Sequence, residues 1–186
     1  MNRIIAIDID GVLNDYPKTW VDYANGELYT EYENLSQLKQ GVSYTDYNAL
    51  KRKYRTSRIK ETFEPKEGAK ELLNFLKSKG YFIVIMTSRP IEEYNELLFQ
   101  TINWLRKNGL EYDFLYFSKR KHLDIIEKFN NLSFMIEDNR AYANAVSNHG
   151  YRVFLVDNEY NKGETNNGVI RVHNLSEISE YISKEE

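Results

Sequence analysis

Arg3-Ile4-Ile5-Ala6-Ile7-Asp8-Ile9-Asp10-Gly11-Val12 decides how this 186-residue chain is read. An unbroken β-branched apolar run that ends abruptly in charge predicts a strand buried on both faces of a parallel sheet. Two carboxylates fall at its C-terminal end, where ligand crevices open in α/β sheets. Residues two apart on an extended chain share a face, so Asp8 and Asp10 are expected to point together. Carboxylates held that close repel unless a cation or a shared proton relieves them, and a bound Mg²⁺ would do so. Taken alone, Asp-x-Asp-Gly is as readily a solvated loop opening with Gly11 as its turn.

Outward from that stretch the chain alternates. Pro65 marks the approach to a helix whose buried stripe is Leu72, Leu73, Phe75 and Leu76 and whose stop is Gly80. The strand Tyr81-Phe82-Ile83-Val84-Ile85-Met86 follows at once. A helix is expected over residues 91–108, closed by Gly109, then a strand at 113–117 and a helix at 121–129. A strand at 133–136, a helix at 140–148 stopped by Gly150, and a strand at 152–156 come next, before a shorter pair at 169–172 and 176–182. Such alternation implies right-handed βαβ units, hence an α/β fold with a central parallel sheet covered on both sides. Residues 14–64 break the pattern. They are rich in Tyr and charge, and Tyr47, Leu50, Tyr54 and Ile59 recur at roughly helical spacing. A small helical cap (14–64) inserted after the first strand of a catalytic core (1–13 and 65–186) is the expected division.

Composition narrows the function. The chain has no cysteine, so disulfides and thiolate chemistry are excluded. A net charge of -3 provides no basic face for wrapping nucleic acid, although local basic clusters exist. The first apolar run is short and broken by Asp8, unlike a signal-peptide core, and no stretch is long enough to cross a membrane. A cytoplasmic protein without a membrane partner is expected.

Chemistry is then sought at the other strand ends. Met86-Thr87-Ser88-Arg89-Pro90 places hydroxyls directly after an apolar strand. Thr87 there either caps the next turn or, with neighbouring N–H groups, binds a phosphate oxygen. Arg89 adds a planar fork suited to phosphate. Phe134-Met135-Ile136-Glu137-Asp138-Asn139 brings a second acidic pair to a sheet mouth. Two such pairs on one edge call for a hard cation with oxygen ligands, Mg²⁺ rather than Zn²⁺. His122, His149 and His173 show no ligand spacing. In Ser118-Lys119-Arg120-Lys121-His122, basic residues open a helix against its dipole, a local conflict that suggests a phosphate or carboxylate partner.

These four strand-end features resemble the haloacid dehalogenase (HAD) superfamily of phosphohydrolases along the whole chain. The resemblance implies a Rossmann-like HAD core in which the first strand is central and the fourth lies beside it. It also implies Asp8 as nucleophile, Asp10 as general acid/base, and Thr87 on the transferring phosphoryl group. Lys121, or else Lys119, would hold that group, and Glu137 with Asp138 would complete an Mg²⁺ site with Asp8 and Asp10. Thr101-Ile102-Asn103-Trp104-Leu105 and Val156-Asp157-Asn158-Glu159-Tyr160-Asn161 look like the 5'(3')-deoxyribonucleotidase branch. Val12 departs from the Asp-Gly-Thr opening of many relatives, without touching the nucleophile. What this implies is a Mg²⁺-dependent phosphomonoesterase acting on a nucleoside monophosphate, with Ser88 and Arg89 binding substrate. The basic run Lys51 to Lys60 is either a solvated helix face or one that admits an anionic nucleotide, in which case Arg55 and Lys60 bind substrate as well. A polynucleotide 3'-phosphatase and a catalytically silent binding protein of the same fold are the alternatives. Among the cap rings, Tyr16, Trp20 and Tyr23 follow the first motif closely enough for one to stack on a base.

Overall fold

The structure, a computed structural model, describes residues 3–129 and 131–185. Among them, six strands form one all-parallel sheet: β1 (Arg3–Ile7), β2 (Tyr81–Thr87), β3 (Phe114–Phe117), β4 (Leu132–Glu137), β5 (Arg152–Val156) and β6 (Val169–Val172), in the order β3-β2-β1-β4-β5-β6. β1 is flanked by β2 and β4, with Ile7 opposite Ile85 on one side and Ile136 on the other. The chain reverses its direction of travel across the sheet between β1 and β4, and their carboxyl ends define the crevice.

Alternation of strand and amphipathic helix builds the two layers. Helices α4 (Ala69–Ser78) and α8 (Ser176–Glu185) cover one face, where Leu72, Leu73, Leu76, Ile178 and Ile182 meet Ile5, Ile7, Ile83 and Ile85. Helix α7 (Arg140–Ser147), with α6 (Lys121–Lys128), covers the other, where Ala143, Val146 and Ile125 meet Ala6, Met86 and Met135. Helix α5 (Glu96–Lys107) adds Trp104 and Leu105 to the first layer. Alternate side chains of β1 thus enter opposite cores, as the strand period requires.

The first strand is shorter than its apolar pattern. It ends at Ile7; Asp8 N–H still donates to the Ile136 carbonyl at 3.0 Å, and then the N–H groups of Val12, Leu13 and Asn14 all turn back to the Ile9 carbonyl. Ile9, Val12 and Leu13 are fully buried from within this turn, so apolar continuity here reports burial and not extended backbone. The helix expected over 91–108 begins at Glu96, because residues 91–94 first form a turn in which Glu93 and Tyr94 donate to the Pro90 carbonyl.

Residues 14–64 carry α1 (Lys18–Leu28), α2 (Leu35–Gly41), α3 (Tyr44–Thr56) and a 3₁₀ turn (Ile59–Glu61). Asn34 and Ser43 cap α2 and α3 by accepting from the N–H groups of Gln37 and Asp46. Trp20, Val21, Ala24, Leu38, Leu50 and Tyr54 make a hydrophobic cluster of their own. The insertion leaves and rejoins the core at one point, where Lys66 N–H donates to the Leu13 carbonyl at 2.8 Å. It rests on α5 through Trp104 Nε1 to the Phe63 carbonyl (2.7 Å) and Gln100 Nε2 to the Arg55 carbonyl (2.8 Å). Among the described residues, no helix is long and apolar enough to cross a membrane.

Candidate active site

A cleft of about 950 Å³ opens between the carboxyl ends of β1, β2 and β4 and the α3 side of the insertion. On its floor, Asp8, Glu137 and Asp138 bring carboxylate oxygens within 4.8 Å of one another, all three buried. Each comes from a strand end: Asp8 follows β1, Glu137 closes β4, and Asp138 follows it. The adjacency of β1 and β4 is what brings together residues so far apart in sequence. Glu137 Oε1 accepts from the backbone N–H groups of Asp138 and Asn139, which fixes its rotamer.

One ammonium serves this acidic group. Lys121, the first residue of α6, places Nζ 2.7 Å from Asp8 and 2.9 Å from Glu137. Burial alone would lower its pKa; the two carboxylates outweigh that and raise it, so it stays a cation. They also outweigh the unfavourable helix dipole at that position. Lys119 points elsewhere, to Glu93 at 2.5 Å on the surface. Even with Lys121, burial pushes the Asp8 carboxyl up to about 7, with Glu137 and Asp10 adding to the rise. Asp138 is raised well above the usual carboxylate range by burial, Glu137 and Asp8. Three buried carboxylates against one lysine leave an excess of negative charge lined by hard oxygen donors, which fits a divalent cation of the Mg²⁺ type.

Asp10 lies apart from this group. It lines the same cleft as Asp8 but is not among the three carboxylates grouped there. Its two oxygens accept from Arg89 Nε (3.0 Å) and Nη2 (2.8 Å), Asn14 Nδ2 donates to it at 2.8 Å, and Lys60 Nζ from the insertion stands 3.8 Å away. Burial would raise its pKa; Arg89, Lys60 and these hydrogen bonds override it and hold Asp10 well below the usual range. The Arg89 fork, expected to face a phosphate, is thus engaged by Asp10 and by Thr101 Oγ1 at 2.9 Å. Lys60 is buried, and its ammonium is pushed down to about 7, by burial first and by Arg89 and Arg55 after.

The remaining expected residues divide between wall and interior. Thr87 is buried at the end of β2 with Oγ1 accepting from Arg89 N–H at 3.3 Å, and Ser88 Oγ beside it is buried without a partner. Both line the cleft, as do Arg55 and Tyr16. Trp20 is fully buried in the insertion's cluster, which Tyr23 flanks, and neither ring lines the cleft. His122 stacks on Tyr142 at 4.3 Å, while His149 and His173 are exposed.

Three further residues at the site had no individual role assigned from the sequence. Tyr160 donates its hydroxyl to Asp138 in a short hydrogen bond, and Asn161 Nδ2 holds the Asp138 carbonyl at 2.7 Å. Gly11 makes room for them: a Cβ there would overlap the Asp138 carboxylate and the Tyr160 hydroxyl, and its φ of +91° already favours glycine. Lys51, four residues before Arg55 and so on the same face of α3, also lines the cleft. It opens the basic run 51–60.

This geometry can hold a cation against Asp8, set a hydroxyl and an ammonium around an anion beside it, and present a second carboxylate from the loop. The model of the family described as 5' nucleotidase, deoxy (pyrimidine), cytosolic type C protein matches residues 2–185. The chain belongs to that family. A nucleotidase of Clostridium acetobutylicum, CA_C3379, is 27% identical over 180 residues, 94% of this chain and 90% of the relative. Among solved structures, the haloacid dehalogenase-like hydrolase SP0104 of Streptococcus pneumoniae superposes with a TM-score of 0.66 at 15% identity, covering 97% of this chain and 98% of that one. The D,D-heptose 1,7-bisphosphate phosphatase of B. bronchiseptica, complexed with magnesium and phosphate, gives 0.60 at 13% identity, covering 99% of each chain. At such identities the structural likeness shows the fold. Family and fold together make this chain a HAD-type phosphatase of the nucleotidase kind.

Proposed function

We propose that the chain hydrolyses (deoxy)nucleoside monophosphates in the cytoplasm, with Mg²⁺ as cofactor and Asp8 as the nucleophile. The observation that carries this is the Asp8 carboxylate, buried at the mouth of the central strand 2.7 Å from Lys121 and grouped with Glu137 and Asp138. Family membership and the nucleotidase of Clostridium acetobutylicum support the substrate class. The cytosolic type in the family description supports the compartment.

Asp8, Glu137 and Asp138 would hold the cation, which when bound supplies positive charge for the phosphate oxygens and for the nucleophile. Lys121 and the Thr87–Ser88 turn steady the transferring group, and the unpartnered Ser88 hydroxyl is free to donate to one of its oxygens. Asp8 attacks phosphorus; an aspartyl phosphate forms as the bond to the leaving oxygen breaks. Asp10 protonates that oxygen and later takes a proton from the attacking water. Asp10 is a carboxylate tied to Arg89 and Lys60. An arriving phosphate dianion competes for those cations, releasing Asp10 to take up a proton. Residues 14–64 act as the cap that excludes water and selects the leaving group, with Arg55 and Lys60 on its inner side.

Phosphate release from a panel of nucleoside 5'- and 3'-monophosphates and 3'-phosphorylated oligonucleotides tests this reading. Turnover of mononucleotides that stops with EDTA and returns with Mg²⁺ is expected. Preference for oligonucleotide ends with a steep salt dependence, or turnover indifferent to EDTA, would overturn it.

A further inference from the structure

Across the cleft from the acidic floor, Lys51 and Arg55 project from one face of α3. Lys51 Nζ stands over three rings, 4.1 Å from the Trp20 centroid, 4.9 Å from Tyr16 and 5.2 Å from Tyr54, and donates to the Tyr16 hydroxyl at 3.3 Å. Arg55 lies over Tyr94 at 5.0 Å. Among the described residues neither forms an ion pair, whereas Lys60, Arg89 and Lys121 in the same cleft are each engaged by carboxylates. Burial, with Lys60 and Arg55 beside it, pushes the Lys51 ammonium down to about 6. Two cations four residues apart on a helix repel, and a largely buried ammonium has lost solvation that ring faces restore only in part. Both cations thus face the cleft without a carboxylate partner among the described residues.

The transferring phosphate does not supply their partner, because that group belongs at Asp8 beside Lys121 and Thr87. We propose that Lys51 and Arg55 form a second anion subsite for a phosphate borne by the leaving group, so that nucleoside 3',5'-bisphosphates are preferred over monophosphates. This rests on the nucleotidase reading and narrows its substrate class. The cleft, at about 950 Å³, has room for a nucleoside with two phosphates. The overall step balances as hydrolysis: the phosphorus–oxygen bond at one phosphate breaks, water supplies the hydroxyl and the proton, and a nucleoside monophosphate leaves with inorganic phosphate. The retained phosphate stays paired with the guanidinium fork and the ammonium until release. A reaction that phosphorylates a nucleotide at a second sugar hydroxyl, or that cleaves a bisphosphate from a larger carrier, would supply such a substrate.

The test compares kcat/KM for a nucleoside 3',5'-bisphosphate with that for the matched 5'- and 3'-monophosphates in wild type, Lys51→Met and Arg55→Gln. Met keeps the chain length and the packing against Trp20. Wild type is expected to favour the bisphosphate by about tenfold or more, the size of one charge-assisted hydrogen bond. Each substitution is expected to remove most of that preference. A wild-type ratio near one, or a ratio that neither substitution moves, overturns the subsite. Calorimetric binding of the same ligands to Asp8→Asn, and to Asp8→Asn with Arg55→Gln, gives a readout without turnover. Tighter bisphosphate binding that Arg55→Gln abolishes supports the subsite; equal binding of all three ligands contradicts it. Absence of turnover on every nucleotide would refute the nucleotidase reading, whereas monophosphate turnover with no bisphosphate preference would refute only the subsite.

Discussion

Asp10 shows how one side chain's partners decide what it can do. Arg89 grips it with two nitrogens, and the arginine is buried, so its charge has no substitute partner in water. Arg89→Met is therefore expected to cost about 3 kcal/mol in chemical denaturation at neutral pH, the low end for a broken buried pair because Lys60 and Asn14 remain. The sign with pH follows from the depressed pKa of Asp10. Its stabilising contribution is complete above the ordinary aspartate value of about 3.9 and is lost as pH falls through the lower folded value. The gap between wild type and Arg89→Met should narrow only in strong acid. A gap that already closes near the ordinary aspartate value would show that Asp10 is not held as an anion. At residue scale the sequence was informative about chemistry and silent about direction. It marked Asp8, Asp10, Thr87, Arg89, Lys121, Glu137 and Asp138 as residues of the sheet mouth. It could not say that Arg89 would face Asp10, because a pairing across 79 residues of chain depends on the loops after β1 and β2.

Elements explain why the legible part was legible. β5 and β6 run over the residues expected from their apolar runs, since a strand buried in a parallel sheet has continuous hydrophobicity and sharp polar ends. The errors fall where apolar residues sit in turns: Ile9, Val12 and Leu13 extend the β1 pattern from within a helical turn, and Ile91 precedes α5. Hydrophobic periodicity measures burial, and at a sheet mouth turns are buried too. The tight loop after β1 is also a testable element. Gly11→Ala must adopt a left-handed backbone, about 1 kcal/mol for alanine, and must displace the Asp138 carboxylate or the Tyr160 hydroxyl. We expect a lowered melting temperature together with a higher Mg²⁺ concentration for half-maximal rate. A variant that melts lower but keeps its Mg²⁺ dependence would mean that this loop does not set the position of Asp138. Along α3 and the turn after it the basic run 51–60 suggested an anion-binding face. Only the packing distinguishes its members: Lys60 is buried at Asp10, Lys51 and Arg55 line the cleft, and Lys53 pairs with Glu27 on the surface.

At the scale of the whole molecule, the order β3-β2-β1-β4-β5-β6 makes one site from distant segments. Central β1 carries Asp8, β2 brings Thr87 and Ser88 on one side, and β4 brings Glu137 and Asp138 on the other. The helical insertion faces that mouth with cations, so the cleft has an acidic floor and a basic roof. Such a division of charge suits an anionic substrate placed between a metal and a cap. The proposed mechanism requires that Asp8 become covalently phosphorylated. Wild-type protein mixed with Mg²⁺ and a saturating nucleoside monophosphate, quenched in acid within one turnover and digested, should yield the peptide containing residue 8 with a phosphoryl group on Asp8. Asp8→Asn should yield neither that peptide nor phosphate above background. Phosphate release by Asp8→Asn at the wild-type rate, with no phosphorylated Asp8 in the wild-type digest, would contradict the account.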